Sequence, residues 1–136
     1  MLAEMTKPRR FLPSPRSVVV FLPPGGQLIG VIGLIEAFDG ANRILAHHGR
    51  PPLYRIQTVG VGNAVGSLAG PVVQTRPAAA VEAIHTLVVG GGLAVAEAPD
   101  DPAVLAALAP LVVKAERTVG VCMGAFYLGG LGLLDG

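Results

Sequence analysis

The chain is poor in the residues that staple, chelate or carry charge. Its 136 residues include one cysteine, three histidines and no tryptophan. A lone cysteine excludes an internal disulfide framework, and three histidines leave too few ligands for a protein-only metal cage. No metal or other cofactor is therefore expected. Charge is scarce as well: ten Lys and Arg oppose nine Asp and Glu, a net +1. That balance gives no basic face to hold DNA or RNA phosphates. Long unbroken hydrophobic runs are also missing. Three uncharged stretches, 17–35, 56–75 and 118–134, approach the roughly 20 residues of a membrane span. Pro23-Pro24-Gly25-Gly26 cuts the first, and Gly60, Gly62, Gly66, Gly70 and Pro71 cut the second. The third holds Gly120 and Gly124 at the spacing of a membrane dimerisation face. It reads better as a buried strand running into a small-residue helix. Pro13 and Pro15 interrupt the apolar run after Arg9-Arg10, so no signal peptide is expected either. These readings place the chain in the reducing cytoplasm, off the membrane.

What is present is apolar: 51% of the residues are hydrophobic and 14% charged, the reverse of a disordered composition. A chain of this length buries roughly two-thirds of its unfolded surface, enough for one domain with its own core. Residues 1–16 carry Lys7, Arg9, Arg10 and Arg16 among prolines and read as a flexible basic leader. The domain then runs from 17 to 136. Ser17-Val18-Val19-Val20-Phe21-Leu22 is a continuous apolar strand, the pattern of a strand buried on both faces. Residues 27–48 follow at helical spacing and close on Gly49. Residues 53–61 return to strand, and 62–77 read as loop or short extended structure. A third strand, 86–89, stops at Gly90-Gly91-Gly92. Asp101-Pro102 opens a helix to about Glu116, with Asp as cap and Pro in the first turn. A fourth strand, 118–121, leads to a helix from Met123 to Leu134. Alternating strands and helices predict an α/β layered sheet, mostly parallel. Its fourth strand is left as an edge, and the architecture incomplete at its carboxyl end.

The sharpest chemical feature is Gly120-Val121-Cys122-Met123-Gly124, a Gly-x-Cys-x-Gly between strand and helix. Small flanking residues fit a nucleophile elbow, whose strained turn crowds its neighbours. A thiol at a helix start also sees free N–H groups, which favour thiolate. The plain alternative is an inert cysteine between packing glycines. Glu36, in an otherwise apolar helix, is a candidate acid partner or a solvated glutamate. Gly90-Gly91-Gly92 can offer backbone N–H groups as an oxyanion hole or form a tight turn. His47 and His48 suit a helix end, and His85 reads as surface. Gly60-x-Gly62-x-x-x-Gly66 is one residue too long for a dinucleotide loop, and Pro71 denies it the following helix.

The first strand, the segment Gly33-Leu34-Ile35-Glu36-Ala37-Phe38 with Ala41-Asn42-Arg43, the Gly90-Gly91-Gly92 turn and the Gly120 to Gly136 stretch together resemble the ThiJ/PfpI superfamily. This is the group of class I glutamine-amidotransferase-like domains. The branch it most resembles is the amino-terminal domain of GlxA-type AraC-family transcriptional regulators. The resemblance covers 17–136 and implies a flavodoxin-like three-layer sandwich. It implies that Cys122 is the elbow nucleophile, Glu36 the acid contacting it, and Gly91, Gly92 and Met123 the frame of a ligand pocket. Isonitrile hydratases of the superfamily carry aspartate where this chain has Gly30, and threonine where it has Met123. Protease-like members have histidine at that second position, and the usual proline before the acid is here Leu34. Those departures remove groups that would activate water.

The reading that follows is an effector-sensing domain of a transcriptional regulator, binding a small molecule. DNA would be contacted only through a helix-turn-helix module outside this chain. The alternative is a cysteine-dependent hydratase or amidohydrolase. A redox-sensing Cys122 also fits a thiolate at a helix start. Superfamily relatives tend to dimerise, so a homo-oligomer is expected.

Overall fold

A computed structural model describes residues 15–136. The expected leader lies outside them except for its last two positions, and Arg16 already belongs to the first strand. That strand, β1 (Arg16–Phe21), is followed by α1 (Leu28–His47), β2 (Tyr54–Gly60), β3 (Ala64–Gly66), β4 (Val72–Gln74) and β5 (Arg76–Pro77). A 3₁₀ turn, Ala78–Ala80, leads to β6 (Ile84–Val89), α2 (Leu93–Glu97), α3 (Pro102–Lys114), β7 (Ala115–Gly120) and α4 (Gly124–Gly130). Five strands form a parallel sheet in the order β5-β2-β1-β6-β7, and β3 pairs with β4 as a separate antiparallel hairpin.

The two central strands are those with unbroken β-branched runs. Val18, Val19, Val20 and Phe21 of β1 and Leu87, Val88 and Val89 of β6 are fully buried, because helices cover both faces. Val19, Phe21, Leu87 and Val89 face the α3 side, with Leu108, Leu111 and Tyr127. Val18, Val20 and Val88 face the α1 side, with Val31 and the half-buried Leu34, Ile35 and Phe38. Each such side chain contributes about 1.5–3 kcal/mol by leaving water. The result is the three-layer α/β sandwich of flavodoxin-like type. β7 lies at the sheet edge, bonded on one side to β6, and Val119 on it is exposed.

Local signals set the element ends. Gly49 stands at φ +67°, and its N–H donates to Ala46 O while that of Arg50 donates to Leu45 O, the paired bonds of a Schellman closure. The Asp101 carboxylate accepts from the N–H groups of Ala103 (2.9 Å) and Val104 (3.3 Å). Asp101→Ala is expected to cost about 1 kcal/mol, read as a lower urea midpoint with unchanged slope.

The structure corrects several boundaries. The helix expected to reach Glu116 ends at Lys114, since β7 begins at Ala115 to pair with Ile84. The last helix stops at Gly130, in a stretch whose glycines favour the turn at Leu131–Leu134. Residues 62–77 fold into the hairpin and β5, and α2 follows the triple-glycine turn where no element was expected. No helix among the described residues is long and apolar enough to cross a membrane.

Candidate active site at a strained elbow

In open α/β sheets ligands bind beyond the carboxyl ends of the strands, where the strand order reverses. Here that point lies between β1 and β6. The loops after β1, β6 and β7 come together there: 22–27, 90–92 and 121–123.

Cys122 occupies the turn from β7 into α4 with φ +54°, the one described residue other than glycine at positive φ. A non-glycine residue in that region costs of order 1–3 kcal/mol and persists only when its surroundings over-determine it. They do so here. The Val121 N–H donates to Val89 O at 2.9 Å, the Gly124 N–H to Val121 O at 2.9 Å and the Phe126 N–H to Met123 O at 3.0 Å. The Cys122 side chain is exposed. The elbow geometry expected from Gly-x-Cys-x-Gly is thus present.

The glycines make that turn possible. A Cβ on Gly124 would run into the carbonyl oxygens of Val89 and Gly90. One on Gly91 would lie 2.5 Å from Gly124 N, 2.6 Å from Met123 N and 2.7 Å from Val121 O. The Gly90-Gly91-Gly92 turn therefore packs backbone to backbone against the elbow. On its other side, Gly91 O accepts the Gln27 N–H at 2.9 Å, which ties the turn to the start of α1. Of the three donors the sequence suggested, Gly90 N–H is occupied by Phe21 O at 2.9 Å. The N–H groups of Gly91 and Gly92 have no protein acceptor among the described residues.

Glu36 is not brought to this site. It is exposed on α1, and no hydrogen bond or ion pair joins it to Cys122 among the described residues. Its charge acts on Arg43, whose pKa is raised first by the hydrogen bond to Asp39, then by the charge of Asp39 and, more weakly, by Glu36. The helix position facing the elbow is Gly30, where a Cβ would meet Val121 Cγ1 at 3.2 Å. Six residues separate the two, about 9 Å along the axis and on a different helix face. Met123 is half-buried against the α3-side core rather than turned outward as a pocket wall. His85 is more enclosed than a surface residue: its Nδ1 lies 2.9 Å from Thr86 Oγ1 and its Nε2 3.9 Å from Glu116. It stands at the amino end of β6, away from the elbow. No group of three His, Cys, Asp or Glu side chains among the described residues could hold a metal ion.

Sequence reasoning missed an open groove of about 410 Å³ beside the same loops. Gly25, Gln27, Leu28, Ile29, Leu68 and Leu93 line it, together with 67, 69 and 71 from the hairpin tip. None of its walls belongs to the elbow, from which the triple-glycine turn separates it. Leu68 and Leu93, exposed and apolar, are the signal in hindsight, but only the hairpin places them together.

Behind the elbow, Tyr127 of α4 is 2% exposed. Burial, and secondly the negative charge of Asp101, raise its pKa. A raised folded pKa means stability complete below the unfolded value of about 10 and lost as pH climbs through the folded one. Tyr127→Phe is therefore expected to unfold less readily than wild type at strongly alkaline pH, seen as a smaller drop in urea midpoint above pH 10.

No protein-family model matches the chain. A Streptomyces lividans protein described as "Uncharacterized protein in cpoL 5'region" is 40% identical over 124 residues, 90% of this chain and 84% of that protein. Among solved structures, a candidate transcriptional regulator protein from Vibrio parahaemolyticus superposes with a TM-score of 0.68 at 22% identity. The match spans 90% of this chain and 64% of that one. Drosophila melanogaster DJ-1beta gives 0.61 at 18% identity over 88% and 61%. A ThiJ/PfpI domain protein from Brachyspira murdochii gives 0.55 at 15% over 89% and 67%. The chain thus spans less than two-thirds of the first two of these structures. The chain therefore has the fold of these DJ-1 and ThiJ/PfpI structures, and it belongs to one family with the Streptomyces lividans protein.

Proposed function

We propose that the chain is the effector-sensing domain of an AraC-family transcriptional regulator, cytoplasmic, with DNA contacted by a helix-turn-helix module outside this sequence. The observation that carries this reading is the position of Gly30. α1 turns a residue without a side chain toward the elbow and holds its one nearby glutamate beside Arg43. An exposed thiol with no acid or base aimed at it is poorly placed for turnover, since general acid–base catalysis needs a group within hydrogen-bond reach. The likeness to the Vibrio parahaemolyticus protein supports the same reading. The groove of about 410 Å³ falls within the 300–1,000 Å³ range of small-molecule sites, and its apolar walls suit a largely apolar effector.

The test is a small-molecule thermal-shift screen on wild type, Cys122→Ser and Leu93→Glu. A ligand that stabilises wild type and Cys122→Ser alike, but not Leu93→Glu, supports sensing in the groove. The second reading, a cysteine hydratase or amidohydrolase, is favoured by the exposed thiol at positive φ. Turnover of a nitrile, isonitrile, amide or glyoxal by wild type, abolished in Cys122→Ser, would replace the sensor reading with it.

A further inference from the structure

Parallel strands joined by returning helices put every strand start, and the finish of each long helix, at one end of the sheet. In this chain that arrangement sorts the charges, and the net +1 that argues against a basic face conceals the sorting. Among the described residues, the amino end of the sheet gathers Arg16, Arg43, Arg50, Arg55, Lys114 and Arg117. Its carboxylates are Glu82 and Glu116, with Asp39 one turn above and paired to Arg43 at 2.6 Å. The carboxyl end, where the elbow and the groove lie, holds Glu97, Asp100 and Asp101 against Arg76. Strands of six or seven residues set the two ends about 20 Å apart.

Helix termini account for part of the basic end. Lys114 closes α3, where a cation complements the dipole, and its Nζ donates to Val81 O at 2.7 Å. Arg16, Arg55 and Arg117 have no such reason to be there. They stand within the first three residues of β1, β2 and β7. No carboxylate pairs with them among the described residues, and Arg55 and Arg117 are exposed. Arg55 is in register with Ser17, whereas Arg117 is in register with Thr86 and, through it, Val18. That one-residue offset sets the two arginines on opposite faces, so the rim is basic from both. Three strand steps of about 4.8 Å part their backbones by about 15 Å, a length over which a duplex presents roughly nine phosphates. The sequence entering β1 carries Lys7, Arg9 and Arg10 and is tethered at this end.

All of these six cations but Lys114 are arginine, whose planar fork binds phosphate bidentately. We infer that the amino end of the sheet contacts the phosphate backbone of duplex DNA without sequence preference. DNA as the bearer of those phosphates rests on the regulator reading, in which backbone contacts position a protein that other groups make specific. A lipid surface offers phosphates too, but it also takes up an apolar face. The exposed apolar side chains near this end, Ile44 and Val113, stand on α1 and α3, which cover opposite faces of the sheet. The effector then binds at one end of the domain while DNA runs along the other.

Anisotropy of a labelled two-turn duplex in about 50 mM salt is expected to show weak binding, alike for unrelated sequences. The log–log salt slope is expected near −3 to −4, about four phosphates at roughly −0.9 each. Arg55→Gln/Arg117→Gln is expected to weaken binding at least about tenfold and to make the slope shallower by about two, one for each lost phosphate contact. Arg55→Lys/Arg117→Lys retains most of both. Both positions are exposed, so the variants keep the far-UV circular dichroism of wild type. Arg76→Gln, at the acidic end, leaves binding unchanged. No binding at low salt would overturn the inference. So would an equal loss in Arg76→Gln, a loss confined to Arg9→Gln/Arg10→Gln, or tighter binding to phosphatidylserine vesicles than to the duplex. None of these outcomes touches the screen on Leu93→Glu, so sensing in the groove stands or falls separately.

Discussion

Gly124→Ala is expected to lose about 3 kcal/mol or more of folding stability, a large share of the 5–15 kcal/mol that holds a domain of this size together. The added methyl would collide with the carbonyl oxygens of Val89 and Gly90. Both belong to backbone that cannot yield freely: Val89 O accepts from Val121 and Gly90 N–H donates to Phe21. Relief requires the elbow to lift off β6, which breaks the Val121 bond and uncovers Tyr127 and Leu128. Gly91→Ala meets the same contact from the opposite side and is expected to cost nearly as much. Gly33→Ala is the internal control. Its methyl meets nothing within 4 Å, so it should gain about 0.5–1 kcal/mol from helix propensity alone. Urea midpoints of the three variants decide the matter. A loss below 1 kcal/mol for Gly124→Ala would mean that the elbow and the glycine turn are not rigidly stacked.

That contrast between glycines shows where a sequence stops being legible. Gly120-Val121-Cys122-Met123-Gly124 could be read as an elbow because strand, turn and helix are all local, and the chemistry of a tight turn is written into adjacent residues. The continuous runs around Val19 and Val88 likewise announce strands covered on both faces. Asp101-Pro102 announces a helix start, and the carboxylate accepts both expected bonds. The pairing of elbow with Gly91 depends instead on β6 and β7 lying side by side, which no local pattern states. The misplaced acid has a different cause. The motif points to Glu36, whereas contact with the elbow depends on helix phase, and phase gives the place to Gly30. The hairpin escaped notice because strands of three residues carry too little alternation to register. α2 escaped because its five residues follow Gly92 with no side-chain cap.

The same distinction bears on function. The turn that carries Cys122 keeps its shape through glycines and backbone bonds. Chemistry at the thiol would need an acid or base within hydrogen-bond reach, and at position 30, against Val121, this chain has no side chain. Frame and chemistry can therefore part company. An intact elbow is evidence for an exposed thiol held on a fixed turn, and weaker evidence for a reaction at it.

Asn42→Ala is expected to lose about 2–3 kcal/mol, the sum of three hydrogen bonds at roughly 0.5–1.5 kcal/mol each in a half-buried setting. Asn42 appeared in the sequence only as part of the Ala41-Asn42-Arg43 stretch, with no role of its own. In the fold its Nδ2 donates to Tyr54 O at 2.7 Å, while its Oδ1 accepts the N–H groups of Leu53 at 2.9 Å and Tyr54 at 3.0 Å. One side chain thus satisfies the first backbone groups of β2, before Tyr54 settles into register opposite Arg16. It also fixes the last turns of α1 against the sheet, next to the edge-to-face contact of Phe38 and Tyr54 at 4.8 Å. Asn42→Asp separates the two halves of the role. It keeps both acceptor bonds but loses the donor, and sets a carboxylate against the Tyr54 carbonyl. Its loss should therefore fall between wild type and Asn42→Ala at acid pH, where the protonated acid can donate, and approach that of Asn42→Ala at neutral pH. Urea titrations at the two pH values provide the check. If Asn42→Ala loses less than 0.5 kcal/mol, the α1–β2 junction is held by apolar packing alone and the three bonds are incidental to it.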